Sequence, residues 1–408
     1  MTQNDHHFDE FQPHTKLKHA ILDTYIISWA MKLLMGGAGS TLAIVDAFAG
    51  QGRDQAGNPG SPVIAARRAL EAMAAARGKT PCLHDPKVHV IAIEKKASYH
   101  DTLVEVMEPF VRQHPDLIAV HRGELADHID EILHTTSVAP TFYFLDPFGV
   151  KGLDAGTYAK ALAGAHNEIF ALFADIGATR LHGLITAERA DPTDEVERIL
   201  SPPSLFPEED STRIAAAEAA AARANDALDL SIPASRRHLT RALGSEEWVA
   251  SLECTAAEDR PDAFLRLFCR ALIAAGAQYV VTIPMRNDDG HRVYSLVHAS
   301  KSKAGFATMK EAVCSGLKKT DIGDEARQRL ITDLSIDVAT LVAALRQALA
   351  GRQRPWADQG AIVGIKTLVL QHTAMFPLQY AELKTSLKDA GILRRIDRKE
   401  ICVFPPLS

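Results

Sequence analysis

Leu17, Ile21, Tyr25, Trp29 and Leu33 recur every four positions, the period of one helix face, and predict a helix over Thr15 to Leu34 capped by Thr15. Leu42-Ala-Ile-Val-Asp-Ala-Phe48 is a run of strand length, apolar apart from Asp46, and it leads into a glycine-rich stretch reaching Gly60. Ser61-Pro62 then reads as a helix start, with serine at the cap and proline in the first turn. Further buried strands are predicted at Val88 to Glu94, Ile118 to Gly123, Thr141 to Asp146 and around Glu168 to Ala174. Helical patterns at Tyr99 to Val111 and Leu125 to Leu133 lie between them. This alternation implies a parallel sheet with crossover helices.

The character changes from about Thr186 to Arg260, which is charged, alanine-rich around Ile214 to Ala227 and broken by Pro192, Pro202, Pro203, Pro207 and Pro233. A helical insertion is expected there, and the alanine run is plain helix. Strand character returns at Gln278 to Met285 and Arg292 to His298, separated by Asn287-Asp-Asp-Gly-His291, whose Asp-Gly is a hairpin signal. A helix over Asp337 to Leu349 leads to Arg352-Gln-Arg-Pro355, read as a linker. Beyond it, a helix from Tyr380 closed by Gly391 and a basic hairpin over Arg394 to Phe404 give the outline of a winged helix. The expected organisation is a Rossmann-like α/β core of five parallel strands over 12–185, an insertion over 186–262, core completion by an antiparallel hairpin over 263–350, and a winged-helix-like module over 355–408.

Composition narrows the class. A chain of 408 residues, 47% of them apolar, buries a large core and divides into more than one domain. Cys82, Cys254, Cys269, Cys314 and Cys402 are widely spaced, which argues against a disulfide framework or a zinc knuckle. With no leading basic-then-apolar signal and no apolar run of about 20 residues, a reducing cytoplasm is expected and a membrane partner is not. The net charge of -6 excludes a globally basic nucleic-acid coat. Charge is uneven, however: Arg352 to Ser408 carries nine Lys/Arg against five acids. Phosphate contact and a solvated lysine-rich face both account for it, as they do for Lys301, Lys303, Lys310, Lys318 and Lys319. His6-His7 with Asp9 and Glu10 is better read as an exposed polar terminus than as a metal site.

The sharpest local signal is Asp46-Ala-Phe-Ala-Gly-Gln-Gly52, a strand ending in two close glycines that let backbone approach a ligand at the carboxyl edge of the sheet. It lacks the Gly-Lys-Ser/Thr of a phosphate loop and the third glycine of a dinucleotide fingerprint, and an ordinary strand-to-loop turn competes with it. Glu94 ends the second strand, where a carboxylate accepts both ribose hydroxyls; a surface glutamate is the alternative. Glu124, or else Asp127, follows the third strand as a candidate adenine contact. Phe142-Tyr-Phe-Leu-Asp-Pro-Phe-Gly149 ends the fourth strand with Asp146 placed to hold an amino group and Phe148 placed to stack on a base. The competing reading makes Phe148 a core anchor and Asp146 a helix cap. Lys16 and Lys18, on the first helix, either approach a ligand carboxylate or form a solvated face.

Together, the helix with Lys16, Tyr25 and Trp29, then Asp46-Ala-Phe-Ala-Gly50, Gly60-Ser61, Glu94, Asp146-Pro-Phe-Gly149 and the Tyr294 to His298 strand resemble the three-Cys-motif partner protein family, TcmP. The resemblance covers most of residues 12 to 320, and the tail is similar to that family's C-terminal extension. It implies a class I, S-adenosylmethionine-dependent methyltransferase, often bacterial or phage-linked, with a three-Cys-motif protein as partner. Asp146-Pro-Phe-Gly149 also resembles the Asp-Pro-Pro-Tyr/Phe motif of methyltransferases acting on exocyclic amino groups of nucleobases, and departs from it at the second proline, where Phe148 stands.

The expected cofactor contacts are therefore Asp46, Phe48, Ala49, Gly50, Gly52, Glu94 and Glu124, with Asp146, Pro147 and Phe148 at the acceptor. Lys16, Lys301, Lys303, Arg394, Arg395 and Arg398 are the expected substrate or nucleic-acid contacts, and no metal is expected. A methyltransferase-like adaptor with little catalysis is the second reading. A nicotinamide-dependent oxidoreductase ranks last, because its sheet is all parallel and lacks the closing hairpin.

Overall fold

The computed structural model describes residues 11–36, 40–79, 85–136, 139–147, 149–150, 152–175, 178, 231–249 and 255–406. Seven strands, β1 (Thr41–Asp46), β2 (Lys87–Glu94), β3 (Ile118–Arg122), β4 (Thr141–Leu145), β5 (Glu168–Phe173), β6 (Tyr279–Arg286) and β7 (Arg292–Ser300), form one sheet in the order β3-β2-β1-β4-β5-β7-β6. β1 to β5 are parallel, as their near-continuous apolar runs predict. β7 is antiparallel to both neighbours, β5 and β6. The inner arm of the hairpin is thus the later one. Burial explains the choice: β7 is buried at all but its first position, whereas β6 alternates and suits an edge.

The helices of this unit are α1 (Pro13–Met35), α2 (Ser61–Lys79), α3 (Ala97–Gln113), α4 (Leu125–Thr135), α5 (Ala155–Ala161), α6 (Ser231–Leu243), α7 (Arg260–Ala274), α8 (Lys303–Lys319) and α9 (Asp324–Asp333). Side chains of α1, α2, α3, α8 and α9 share one apolar cluster with one face of the sheet. Those of α4 to α7 share a second cluster with the opposite face. The result is an α/β, Rossmann-like three-layer arrangement. α1 starts two residues before the expected Thr15, because Pro13 supplies a preset φ in the first turn and extended Gln12 is the N-cap. Most of the expected insertion, including the alanine run, lies outside the described residues, as does the His6-His7 segment.

The C-terminal unit contains α10 (Val338–Ala348), β8 (Gln353–Pro355), α11 (Ile365–His372), α12 (Tyr380–Asp389), β9 (Leu393–Ile396) and β10 (Lys399–Val403). Its three strands form an antiparallel sheet in the order β8-β10-β9. Arg352-Gln-Arg-Pro355, expected as a linker, is instead largely strand, with Arg354 opposite Cys402. Pro355 is tolerated because β8 is an edge. α10, expected to complete the first unit, packs Leu341 and Leu345 with Trp356, Leu383 and Phe404 of the second. Lys310 of α8 ties the two units together: its buried ammonium donates to the carbonyls of Leu370 and Thr373 and lies 4.0 Å from the centre of the Phe306 ring.

One polar cluster crosses the apolar interior. The carboxylate of Glu168, at the start of β5, accepts from the Tyr25 hydroxyl of α1 and from Ser300 Oγ of β7 at 2.9 Å, and His298 Nε2 lies 3.0 Å from it. Gly305 is required beside it, since a Cβ there would stand 2.1 Å from Glu168 Oε1. Removing a hydroxyl that serves a buried carboxylate costs about 1.5–3 kcal/mol. Tyr25→Phe is therefore expected to destabilise the fold by that amount in urea unfolding monitored by far-UV circular dichroism.

Candidate active site

Strand order reverses between β1 and β4, and the carboxyl ends of parallel strands on either side of such a switch point leave a crevice. A cleft opens there, lined from β1 and its loop by Phe48, Ala49, Gly50, Gly52, Arg53, Gly60 and Ser61. Asp146 and Pro147 line it from the end of β4, and Leu172 and Tyr294 from β5 and β7. The first turns of α1 cover it with His14, Thr15, Lys18 and His19.

The glycines make the loop possible. Gly50 and Gly52 have φ of +58° and +75°, and a Cβ on Gly60 would meet the carbonyl carbon of Gly52 at 2.9 Å. Between them the chain doubles back: Gly60 N–H donates to the Gly52 carbonyl at 2.8 Å, and Asp54 holds Asn58 through its backbone and side-chain amides. Asp54 also accepts from the backbone N–H of Phe11 at 3.2 Å, which pins the lead-in to α1 over the loop.

Asp46 is buried beneath the cleft. Its Oδ1 accepts from Phe48 N–H at 3.3 Å, while Oδ2 is buried with no hydrogen-bond partner among the described residues. Burial raises its pKa to about 7; the Asp146 charge adds to the rise, and Ser61, Phe48 and Lys18 oppose it. Asp146 forms an ion pair with Lys18 through Oδ2, and both side chains are largely buried. The described part of the cleft thus sets two carboxyl groups beside one ammonium. Tyr294, 1% exposed, brings a hydroxyl without a hydrogen-bond partner among the described residues, and burial and the Asp146 charge hold its pKa well above the ordinary value.

The structure gathers Asp46, Phe48, Ala49, Gly50, Gly52, Asp146 and Pro147 at or directly beneath this cleft, whereas Phe148 lies outside the described residues. Glu94 stands one step behind it. Its oxygens accept from Gly50 N–H at 3.0 Å and Lys96 N–H at 2.6 Å, so it braces the loop, and burial raises its pKa against these two contacts. Glu124 does not line the cleft; it pairs with Lys95 Nζ at 2.6 Å, and its backbone N–H is capped by Asp127.

Lys16 is exposed on the far side of α1, and Lys18 occupies the position at the cleft. A lysine sharing a helix face with buried Leu22 and Tyr25 was the legible signal for it. Lys301 and Lys303 are not near the cleft. β7 runs antiparallel, pairing Ser300 with Glu168, which carries its far end to the amino edge of the sheet, where Lys301 donates to the Ala163 carbonyl. Arg394, Arg395 and Arg398 are exposed on the β9–β10 hairpin, away from the cleft lining. His14 and Tyr294 carried no motif of their own; only the packing of α1 against β7 brings them together, ring centres 5.6 Å apart.

Among the described residues no group of His, Cys, Asp and Glu has a metal-holding arrangement, and no helix is long and apolar enough to cross a membrane. The Asp46 shift has a consequence for stability. The folded value lies above the ordinary carboxylate value, so the unfolded chain ionises first, and stability falls as pH rises from about 4 to about 7 before levelling. Asp46→Asn is expected to stabilise the protein by up to about 4 kcal/mol at pH 8 and by less than about 1 kcal/mol at pH 4, measured by urea unfolding. Equal gains at both values would contradict the assignment.

No family model matches the chain, and no curated protein matches it. Solved structures similar to it include a possible exported protein from Bordetella parapertussis, 12% identical with a TM-score of 0.25, the match covering 67% of this chain and 66% of that one. Another is a geranyl diphosphate methyltransferase in complex with SAM, 12% identical with a TM-score of 0.23, covering 68% of this chain and 85% of that one. Likenesses of that size carry no argument for fold or function, which rest on the strand order and the cleft.

Proposed function

We propose that the chain is an S-adenosylmethionine-dependent methyltransferase that modifies an amino group of a nucleic-acid base. One observation carries the reading: in a β3-β2-β1-β4-β5-β7-β6 sheet with a single antiparallel strand, the glycine loop after β1 and the carboxylate after β4 open into the same cleft. The residues suit the cofactor. Bare backbone at Gly50, Gly52 and Gly60 admits close approach, and the unpaired Oδ2 of Asp46 needs a donor that a ligand can supply. Glu94, held behind Gly50, retains lone pairs for ribose hydroxyls.

When bound, the cofactor supplies an electrophilic methyl group. The chain's part is to place the acceptor. With the cofactor bound, Asp146 would accept a hydrogen bond from the amino group, aim the nitrogen lone pair at the methyl carbon, offset the positive charge that builds on nitrogen as the N–C bond forms, and accept the proton that nitrogen then sheds. Lys18 holds Asp146 through Oδ2 and keeps it oriented. The exposed cations of the β9–β10 hairpin, Arg394, Arg395 and Arg398, suit a winged-helix-like unit that meets phosphate. A three-Cys-motif protein is the proposed partner, and cytoplasm the proposed compartment.

The Lys18–Asp146 pair also favours a second reading, an adaptor whose methyltransferase-like cleft is filled by its own ammonium. Turnover separates the two. With methyl-labelled cofactor and single- and double-stranded DNA and RNA, the enzyme reading expects label in nucleic acid, and a loss of about 10²-fold in kcat for Asp146→Ala with cofactor affinity little changed by calorimetry. Cofactor binding without transfer to any substrate would favour the adaptor, and transfer to protein or small molecules alone would overturn the nucleic-acid assignment.

A further inference from the structure

We propose that Asp146 and Tyr294 form a two-point recognition site for a base whose amino group lies beside a ring nitrogen, the edge presented by adenine and cytosine. This rests on the reading above for the reaction at that edge, but not for its binding.

The argument begins with hydrogen-bond satisfaction. Tyr294 is buried, lines the cleft, and has a hydroxyl with no partner among the described residues. Buried hydroxyls in native proteins are nearly always paired, so one left unpaired at a cleft wall marks where a ligand completes the pair. The ring is held firmly: Val293 and Ser295 beside it are buried, Ser295 pairs with Phe173 of β5, and the His14 ring packs against it at an interplanar angle of 77°. Its raised pKa keeps the phenol protonated, so the hydroxyl has a hydrogen to give.

Asp146 is the complement. As a carboxylate it only accepts. Lys18 takes Oδ2, and Oδ1 has no hydrogen bond among the described residues. The cleft therefore offers an acceptor and a donor from neighbouring walls. A ligand that satisfies both must present an N–H and a lone pair side by side. An aliphatic amine has no adjacent lone pair. Adenine and cytosine carry both on their Watson–Crick edge, where guanine instead sets a ring N–H beside its amino group, and the basic β9–β10 hairpin favours a nucleic acid over a peptide amide as their source.

The test compares wild type with Tyr294→Phe, which deletes only the hydroxyl. The probes are single-stranded oligonucleotides carrying one adenine or one cytosine, and counterparts in which the ring nitrogen beside the amino group is replaced by C–H. Losing one such hydrogen bond corresponds to roughly tenfold. For wild type, the C–H analogue is expected to bind about tenfold more weakly and to show about tenfold lower kcat/KM where transfer occurs. Tyr294→Phe is expected to lose the same factor on the natural base and nothing more on the analogue. Its cofactor affinity should stay within about twofold, and its thermal midpoint should hold or rise, since an unsatisfied buried hydroxyl is removed.

A variant that still discriminates the analogue as wild type does would overturn the proposal. So would a lowered thermal midpoint, which would reveal a structural partner for the hydroxyl, or a preference for a glutamine-containing peptide over either base. The binding arm stands alone: a wild-type chain that discriminates the analogue in binding yet transfers no methyl group would remove the reaction and keep the two-point site.

Discussion

The placement of the first helix depends on one buried carboxylate. Glu168 sits in the apolar interior, where a charge persists only if hydrogen bonds surround it, and it draws them from Tyr25 of α1 and from His298 and Ser300 of β7. This fixes two things at once. It pairs β7 with β5 in a register that places Tyr294 at the carboxyl edge of the sheet, and it anchors α1 across the same face. Lys18 lies seven residues before Tyr25, about 10.5 Å along the helix at 1.5 Å per residue, on the same side. The anchor at one edge of the sheet thereby delivers the lysine to the cleft at the other.

In the cleft, electrostatics and shape divide the work. The glycine loop contributes bare backbone and little charge, while Asp46, Asp146 and Lys18 contribute charge held by geometry. Lys18 takes one oxygen of Asp146 and leaves the other to the cleft, and Asp46 resists ionisation until about neutral pH. A cationic ligand group entering here meets the Asp146–Lys18 pair and, in Asp46, a carboxyl that ionises readily in its presence, which is a means of favouring charge that develops during a reaction. Glu94 acts from behind by bracing Gly50 and Lys96, so a residue read as a ligand contact is equally part of the loop's frame.

The C-terminal unit is coupled to the sheet through the ammonium of Lys310, whose burial pulls its pKa down to about 7 and which donates to carbonyls near the end of α11. A basic residue that reads as part of a surface cluster is thus an internal tie. Arg394, Arg395 and Arg398 are exposed elsewhere, on the edge strand β9 and its turn. Lys301 and Lys303 fall at the opposite edge of the sheet from the cleft, so the local basic runs of the chain do not merge into one surface at the site.

The sequence by itself determined the seven strands of the large sheet and the helices α1, α2, α3, α4, α10 and α12, because period-four and continuous apolar runs follow directly from side-chain geometry and burial. It also determined that Asp46, Gly50, Gly52, Glu94 and Asp146 belong to strand ends, since an acid or glycine closing an apolar run is a local feature. Tertiary structure alone decided which arm of the hairpin pairs with β5, that Arg352 to Pro355 contributes a strand to the small sheet, and that α10 packs with the C-terminal unit. It alone placed Lys18 on Asp146 and Tyr294 in the same cleft. Those choices depend on contacts between residues distant in sequence, 128 positions apart for Lys18 and Asp146, made by burial and hydrogen-bond satisfaction, and no local period encodes them.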